Sequence, residues 1–182
     1  MANVSRYKYG DTKPVVASCQ SATDIEIGDL VFLEGVDGAL KNLRPASQLD
    51  DLGSIAANQI YFKCRFLGHA SQRHRTAAVA DPDDVTDIRV NTAGVHEYIC
   101  ASTTWELGDL VAPAENAAGT ALLDQTVIVV PRVSADADRR AIGRVAQREA
   151  VATTRVYIEL SSEIMDGGVD AGTCSGSSSS GS

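Results

Sequence analysis

The sequence predicts a mainly β protein whose body is built from two similar halves. Residues 24–31 alternate apolar and polar side chains, break at the Gly-Asp pair 28–29 and resume with Leu-Val, and residues 104–111 repeat this pattern. Glycine accepts a positive φ without steric cost, and an aspartate side chain can hydrogen-bond to the turn backbone. Each copy therefore predicts a short strand, a tight turn and a second strand.

A second motif follows each copy, in the same order. Residues 66–73 and 141–148 both have the form apolar-apolar-Gly-x-small-x-Gln-Arg, and strand patterns follow at 85–90 and 154–160. Chance recurrence of common turn sequences is the alternative explanation. Three elements that recur in one order favour an internal duplication.

The chain divides into three parts on this basis. Residues 1–14 are polar and aromatic without a period, which predicts an extended N-terminal arm that orders against a partner. One β-rich domain is expected over residues 15–164, with pseudo-repeats at about 15–100 and 101–164. The remaining residues, 165–182, are rich in Gly and Ser and bury too little apolar surface to order, so a flexible tail is expected.

Within the first half, the pattern changes from strand to helix and back. A strand is expected at residues 15–17 and a hairpin turn at 34–38. Residues 45–60 carry apolar side chains at three- and four-residue intervals, but Gly53 interrupts them, which predicts one or two short helices. Residues 61–67 return to a strand pattern.

Consecutive strand patterns close the first half and continue into the second. Residues 88–90 and 94–100 predict two strands, with His96 on a strand surface. Trp105 takes an apolar position of the repeated motif and is expected in the core or at a subunit seam. The continuous apolar run 126–130 predicts a buried strand.

The four cysteines are widely spaced and include no Cys-x-x-Cys pair, so the pattern is a poor one for structural zinc. Cys64 and Cys100 lie in apolar strand patterns and are expected to be buried thiols. Cys174 lies in the tail, where an exposed thiol and a link between chains both stay open.

The composition is that of an acidic globular protein. The chain of 182 residues has a mass of 19.1 kDa, 44% hydrophobic residues and a formal net charge of −8. A negative surface repels phosphate backbones, so nucleic-acid binding is not expected. Because no signal peptide and no apolar run long enough to cross a bilayer is found, we expect a soluble protein, made in the cytosol, without a membrane partner.

One segment has the residue types of an active site. Residues 69–75 hold two histidines, a serine and two arginines, but a nucleophile needs a positioned base, and the equivalent residues 144–148 have neither histidine nor serine. A solvated loop or a subunit contact is favoured. The acidic loop 80–84 could hold a hard cation, but it lacks the EF-hand pattern and reads better as an exposed turn. No catalytic residue, cofactor site or metal site is predicted, and the protein is not expected to be an enzyme.

The second half carries a resemblance to a known family. Its sequence runs Glu-x-Gly-Asp-Leu-Val, a small-residue loop, Ala-Ile-Gly-Arg-Val-Ala-Gln-Arg-Glu-Ala and then Thr-Arg-Val-Tyr-Ile-Glu-Leu. This order resembles the capsid decoration (cement) proteins of tailed bacteriophages, best over residues 105–160 and more loosely over 25–90. The chain differs from the family in its greater length, its helical insert at 45–60 and its Ser-rich tail.

The resemblance implies a compact β-barrel or β-tulip fold that forms a homotrimer on the outside of a phage capsid. The implied function is structural: the protein clamps neighbouring subunits of the major capsid protein and stabilises the shell. The implied location is the outer surface of the virion, after synthesis in the host cytoplasm.

Exposed basic and aromatic side chains are the candidates for contact with the capsid or with other subunits. These are Arg6, Tyr7, Tyr9, Lys13, Arg73, Arg75, Arg144 and Arg148. Two other classes stay open. A receptor-, carbohydrate- or peptide-binding module would act without stabilising a capsid, and an enzyme would need the loop 69–75 to meet acidic residues in a cleft.

Overall fold

The computed structural model of the chain describes residues 6–20, 22–34, 42–76 and 86–167. Over these residues it has eleven strands, three α-helices and one 3₁₀ turn. The strands are β1 (Arg6–Tyr9), β2 (Pro14–Ser18), β3 (Leu30–Glu34), β4 (Asn42–Pro45), β5 (Phe66–Ala70), β6 (Asp87–Asn91), β7 (Ala93–Trp105), β8 (Leu110–Glu115), β9 (Leu122–Val129), β10 (Gly143–Val145) and β11 (Glu149–Ser161). The helices are α1 (Ile55–Cys64), α2 (Ala137–Arg140) and α3 (Glu163–Asp166), and the 3₁₀ turn is Ala46–Gln48.

Five strands of the second half close a barrel. Their order is β7-β11-β10-β8-β9, and β9 returns to β7 in parallel, with Ile99 opposite Thr126 and Cys100 opposite Val127. β1 adds to β7 in antiparallel orientation. The predicted β-barrel is therefore confirmed.

The first half has the same strand order, β2-β6-β5-β3-β4. Each of its strands corresponds to the strand five places later in the chain, so that β2 matches β7 and β6 matches β11. The two end strands meet at a parallel bridge between Cys19 and Leu43, which is the counterpart of the pairing between Cys100 and Val127. This shared order confirms the internal duplication.

The change from one half to the other lies at Thr92, since β6 ends one residue before it and β7 begins one residue after it. Residues 93–100 thus open the second half, although the sequence suggested that they close the first. The repeated motif starts only at Thr104, near the end of β7, and so it does not reveal the long strand that precedes it.

The two Gly-Asp turns have the same hydrogen bonds. The Asp29 carboxylate accepts the Glu26 amide at 2.8 Å, and the Asp109 carboxylate accepts the Glu106 amide at 2.9 Å. The glycine before each aspartate has a positive φ, 101° in the first turn and 81° in the second. The turn predicted from the repeated motif is therefore present in both halves.

The core is shared between the halves. Leu30, Phe32 and Phe66 lie on the outer face of the first sheet and pack in one buried cluster with Tyr98 and Trp105 of the second half. Trp105 is 1% exposed, as predicted for a core residue. Because the largest cluster spans both halves, each half stabilises the other.

The helical insert is made of two pieces. The 3₁₀ turn comes first, and α1 begins after Ser54, whose hydroxyl accepts the Ala57 amide at 3.2 Å. The helix continues through residues 61–64, where a strand was predicted, because Phe62 is fully buried on the helix. Cys64 is therefore a half-buried residue at a helix end, and the prediction that it lies in a strand was wrong.

The N-terminal arm is extended, as predicted, and its residues Arg6–Tyr9 pair with β7 of the same chain. The expected tail begins inside α3, which reaches Asp166. The hairpin turn at 34–38, from residue 35, the acidic loop 80–84, Cys174 and the rest of the tail from residue 168 lie outside the described residues.

Candidate partner-binding surface

Two adjoining cavities form a groove along the outside of the second barrel. Their volumes are about 510 Å³ and about 570 Å³, and both are lined by Lys13, Ala93, Arg144 and Glu159. We call this surface the outer groove. Its floor at one end includes Leu110 and Ala141, and its other lining side chains include Tyr9 and Leu107 at the far end and Met165 and Asp166 beside α3.

The middle of the groove is built from a strand ladder and a strained loop. Arg144 of β10 stands directly opposite Glu159 of β11, and both side chains are exposed. Lys13 lies between β1 and β2 with φ 40°, the only positive φ of a non-glycine residue in the part of the chain that the structure describes. Its amide donates to the Asp11 carboxylate at 3.1 Å, and its carbonyl accepts the Thr92 hydroxyl at 2.7 Å.

The groove carries more acidic than basic groups. Two basic side chains, Lys13 and Arg144, line it together with four acidic ones, Asp11, Asp138, Glu159 and Asp166. Arg144 Nη2 lies 3.5 Å from Asp138 Oδ1, but both side chains are more than half exposed, so this ion pair contributes little stability. The groove is therefore net negative, like the chain as a whole.

The floor of the groove is the counterpart of the face through which the first half contacts the second. Leu110, Ala112 and Ala141 occupy the positions of Leu30, Phe32 and Phe66 in the duplicated fold. In the first half these side chains are buried against the second half. In the second half the smaller alanines pack with Val130 and Ala137, and space remains beside Ala141, whereas Ala112 is fully buried.

The structure brings three of the eight predicted contact residues together. Tyr9, Lys13 and Arg144 line the outer groove. Arg6 and Tyr7 lie on the exposed strand β1, and the Tyr7 ring packs edge-on against His96 at 5.6 Å between centroids. The spread of these residues through the chain explains why the sequence could not indicate which of them meet.

The other three predicted arginines make contacts within the chain. Arg75 Nη2 lies 2.8 Å from Glu26 Oε1, and Arg148 binds both carboxylate oxygens of Glu106, at 2.8 Å and 3.2 Å. Glu26 and Glu106 are equivalent residues of the two Gly-Asp turns, so the same turn is tied to an arginine in each half. Arg73 is half-buried and is also engaged within the chain.

The histidines pack inside the protein, so two predictions about them were wrong. His69 lies in β5 and is 3% exposed, and His74 is 8% exposed in a bridge to Ile25, so they do not form a solvated loop. His96 is fully buried and not on a strand surface. The alternation of side chains along a strand assigns them to two faces of the sheet. It does not show that both faces are buried, as they are here where the two halves pack together.

His69 and His96 form a contact between the halves. Their ring centroids are 4.1 Å apart, and His69 Nδ1 lies 2.8 Å from the Tyr98 hydroxyl. Burial lowers the pKa of His69 well below its ordinary value, and the neighbouring His96 adds to the effect. Burial also lowers the pKa of His96. Both rings are therefore neutral near pH 7 and act as packing groups.

Two residues of the outer groove were not indicated by any sequence motif and are brought there by the tertiary structure. Glu159 and Met165 line the groove but were not predicted. The alternation of β11 does place Glu159 on an outer face, which was the available signal. Many charged residues share that signal, so it could not single out Glu159.

The described part of the chain contains neither a metal-binding cluster nor a helix suited to a membrane. No group of three or more His, Cys, Asp or Glu side chains is arranged to hold a metal ion there. None of the helices among those residues combines the length and the apolar character that a membrane crossing requires. Comparisons with protein-family models, with curated proteins and with solved structures found no match to the chain.

Proposed function

We propose that the protein decorates the outside of a phage capsid and stabilises the shell by binding neighbouring copies of the major capsid protein. The duplication is the observation that carries this proposal. One chain contains two barrels of the same strand order, each with a Gly-Asp turn tied to an arginine. The first turn is buried against Gln125 of the second half, so the barrels are repeated but the exposed surfaces around their turns are not. A body built from two like barrels suits a partner that is itself repeated in space.

Repetition also supplies the binding strength that such a function needs. Two weak contacts made by one rigid body act together, because the second forms at a high effective concentration once the first has formed. The shared core of the two barrels provides the rigid body. Repeated over a shell, these contacts resist expansion without a large interface at any one site.

A homotrimer is part of the proposal. Several large apolar side chains of the described residues are exposed, including Val133 at 96%, Val151 at 79% and Val16 at 70%. A subunit seam would remove some of this apolar surface from water. Light scattering on a sizing column tests the trimer, which has about three times the chain mass of 19.1 kDa.

A binding module without a capsid-stabilising role is the second candidate, and the outer groove favours it. One concave surface with charged and apolar side chains is sufficient for a peptide ligand. In this case the duplication would stabilise the fold through the core shared by the two halves, and it would not provide repeated binding sites.

The test uses heads of the phage or prophage that encodes the chain, assembled without it. We expect purified protein to sediment with these heads to a saturating stoichiometry and to raise the temperature at which they release DNA. Saturable binding with no change in the release temperature would favour the binding module. Protein that stays in the supernatant at every concentration would contradict the decoration function and leave only a binding module whose ligand is not the head.

A further inference from the structure

We propose that the outer groove binds an extended basic segment of a partner protein. An apolar side chain of this segment lies over Leu110 and Ala141, and a lysine or arginine beside it meets Glu159. The inference rests on the proposed function, in which the partner is a subunit of the shell, and it adds the chemistry by which that subunit is recognised.

The duplicated fold provides the first argument. The face that forms the groove floor in the second half is, in the first half, the face that packs against another barrel. That contact is filled by the rings of Phe32 and Phe66. The counterpart of Phe32, Ala112, is fully buried in a cluster with Val130 and Ala137, but the counterpart of Phe66, Ala141, lines a cavity of about 510 Å³. An incoming apolar side chain would occupy the space that a phenylalanine fills in the other half.

Charge gives the second argument and selects the partner. Four acidic side chains and two basic ones line the groove, and Arg144 already has Asp138 within 3.5 Å. Glu159 lines both cavities at their junction, and its side chain is exposed. A basic segment reduces the net charge of the groove when it binds, whereas an acidic one increases it.

Shape gives the third argument, because the two cavities adjoin and form one elongated site. Exposed apolar side chains stand at its two ends, with Tyr9 and Leu107 at one and Met165 at the other. At the junction of the two cavities, Lys13 has a positive φ of 40°. A non-glycine residue keeps this strained conformation only where the surrounding structure holds it. An extended chain fits such a site better than a compact ligand.

The experiment measures binding of short labelled peptides by fluorescence anisotropy at low ionic strength. The probes have the cores Lys-Phe-Lys, Lys-Ala-Lys and Glu-Phe-Glu, each between Gly-Ser flanks. We expect the first peptide to bind at least about fivefold more tightly than either of the others, since one lacks the apolar group and the other has the wrong charge.

Two variants locate the site. Glu159→Gln should weaken binding of the Lys-Phe-Lys peptide by about three- to tenfold, because it removes a carboxylate that meets a cation. Asp50→Asn is the matched control, since Asp50 is exposed and does not line the groove, and it should leave the affinity unchanged. Ala141→Phe should reduce binding further by filling the floor, and Glu159→Gln keeps the test valid if that variant misfolds.

The outcomes separate this inference from the proposed function. Equal binding of the acidic and basic peptides, or an unchanged affinity of Glu159→Gln, would overturn the inference even if the protein binds heads. Peptide binding in the groove together with no binding to heads would overturn the proposed function and leave the groove assignment standing. Self-association that Glu159→Gln abolishes would assign the groove to a second copy of the chain and overturn the partner proposed here.

Discussion

Gly143 lies so close to the carbonyl of Glu159 that a Cβ atom at residue 143 would come within 2.3 Å of the carbonyl oxygen. The equivalent glycine of the first half, Gly68, stands in the same relation to Asn91, at 2.1 Å. Both distances are far below any normal contact. The glycine in the second repeated motif is therefore present because two strands approach closely at that point.

This relation predicts a large loss of stability for Gly143→Ala. The clash involves backbone atoms, so a strand must shift, and we expect a cost of about 2–4 kcal/mol in the free energy of unfolding. Gly108→Ala is the comparison, because its added Cβ would meet only the end of the Arg132 side chain, at 3.4 Å, and the cost of φ 81° is about 1 kcal/mol. Urea unfolding measures both variants. An equal or smaller loss for Gly143→Ala would contradict the steric explanation.

The contact between the halves should respond to pH through Asp29. Burial first, and then repulsion from Asp124 of β9, raises the pKa of Asp29 from 3.8 to about 6. A group with a raised pKa in the folded state stabilises the fold below its unfolded pKa, and this contribution is lost as the pH rises through about 6. As the pH falls from about 7.5 to about 4.5, the free energy of unfolding of the wild-type protein should therefore rise by about 2 kcal/mol relative to that of Asp29→Asn.

Asp109→Asn is the matched control for this measurement. Asp109 makes the same turn bond in the second half, but it is less buried than Asp29, which is 5% exposed. Asp109→Asn removes that turn bond as well, so it controls for the loss of the bond itself. If the two variants follow the same pH curve, Asp29 is not responsible for the effect.

Local features of the fold could be predicted from the sequence, and contacts between the halves could not. The Gly-Asp turns depend on residues within four positions of one another, so their pattern is visible in the chain. The burial of the His69 and His96 side chains depends on how the two barrels pack against each other. The end of α1 likewise depends on the burial of Phe62 and not on local preference.

The candidate site follows the same division. The sequence indicates that Lys13 and Arg144 are exposed cations, and both line the groove. It does not indicate that Arg75 and Arg148 bind glutamates of the repeated turns, since these partners lie far away in the chain. One wall residue of the groove, Ala141, stands where the first half has Phe66, and this replacement is informative only once the two halves are aligned in space.

The attachment of β1 should depend on Glu97. Lys8 Nζ lies 3.0 Å from one oxygen of this buried carboxylate, and Arg155 Nη1 lies 2.6 Å from the other. Glu97→Gln keeps the shape of the side chain but removes its charge, so β1 should detach more often. Trypsin cleavage after Lys8 should become several-fold faster under conditions where the barrels stay folded. Glu149→Gln on β11 is the control and should leave the cleavage rate unchanged, and equal rates for both variants would show that Glu97 does not hold the strand.

The hydrogen bond between His69 and Tyr98 should stabilise the contact of the two halves. Tyr98→Phe removes the hydroxyl that lies 2.8 Å from Nδ1 of the buried His69, at an expected cost of about 1–3 kcal/mol at neutral pH. Tyr61→Phe is the control, because Tyr61 is half-buried and its ring, which packs under Arg65, is kept.

The lowered pKa values of His69 and His96 mean that the folded state resists protonation. Their contribution to stability is therefore complete above the unfolded pKa of 6.5 and is lost as the pH falls below it. The wild-type protein should thus show an acid-induced loss that His96→Phe reduces. A loss of equal size in the wild type and His96→Phe would contradict a role for this histidine pair.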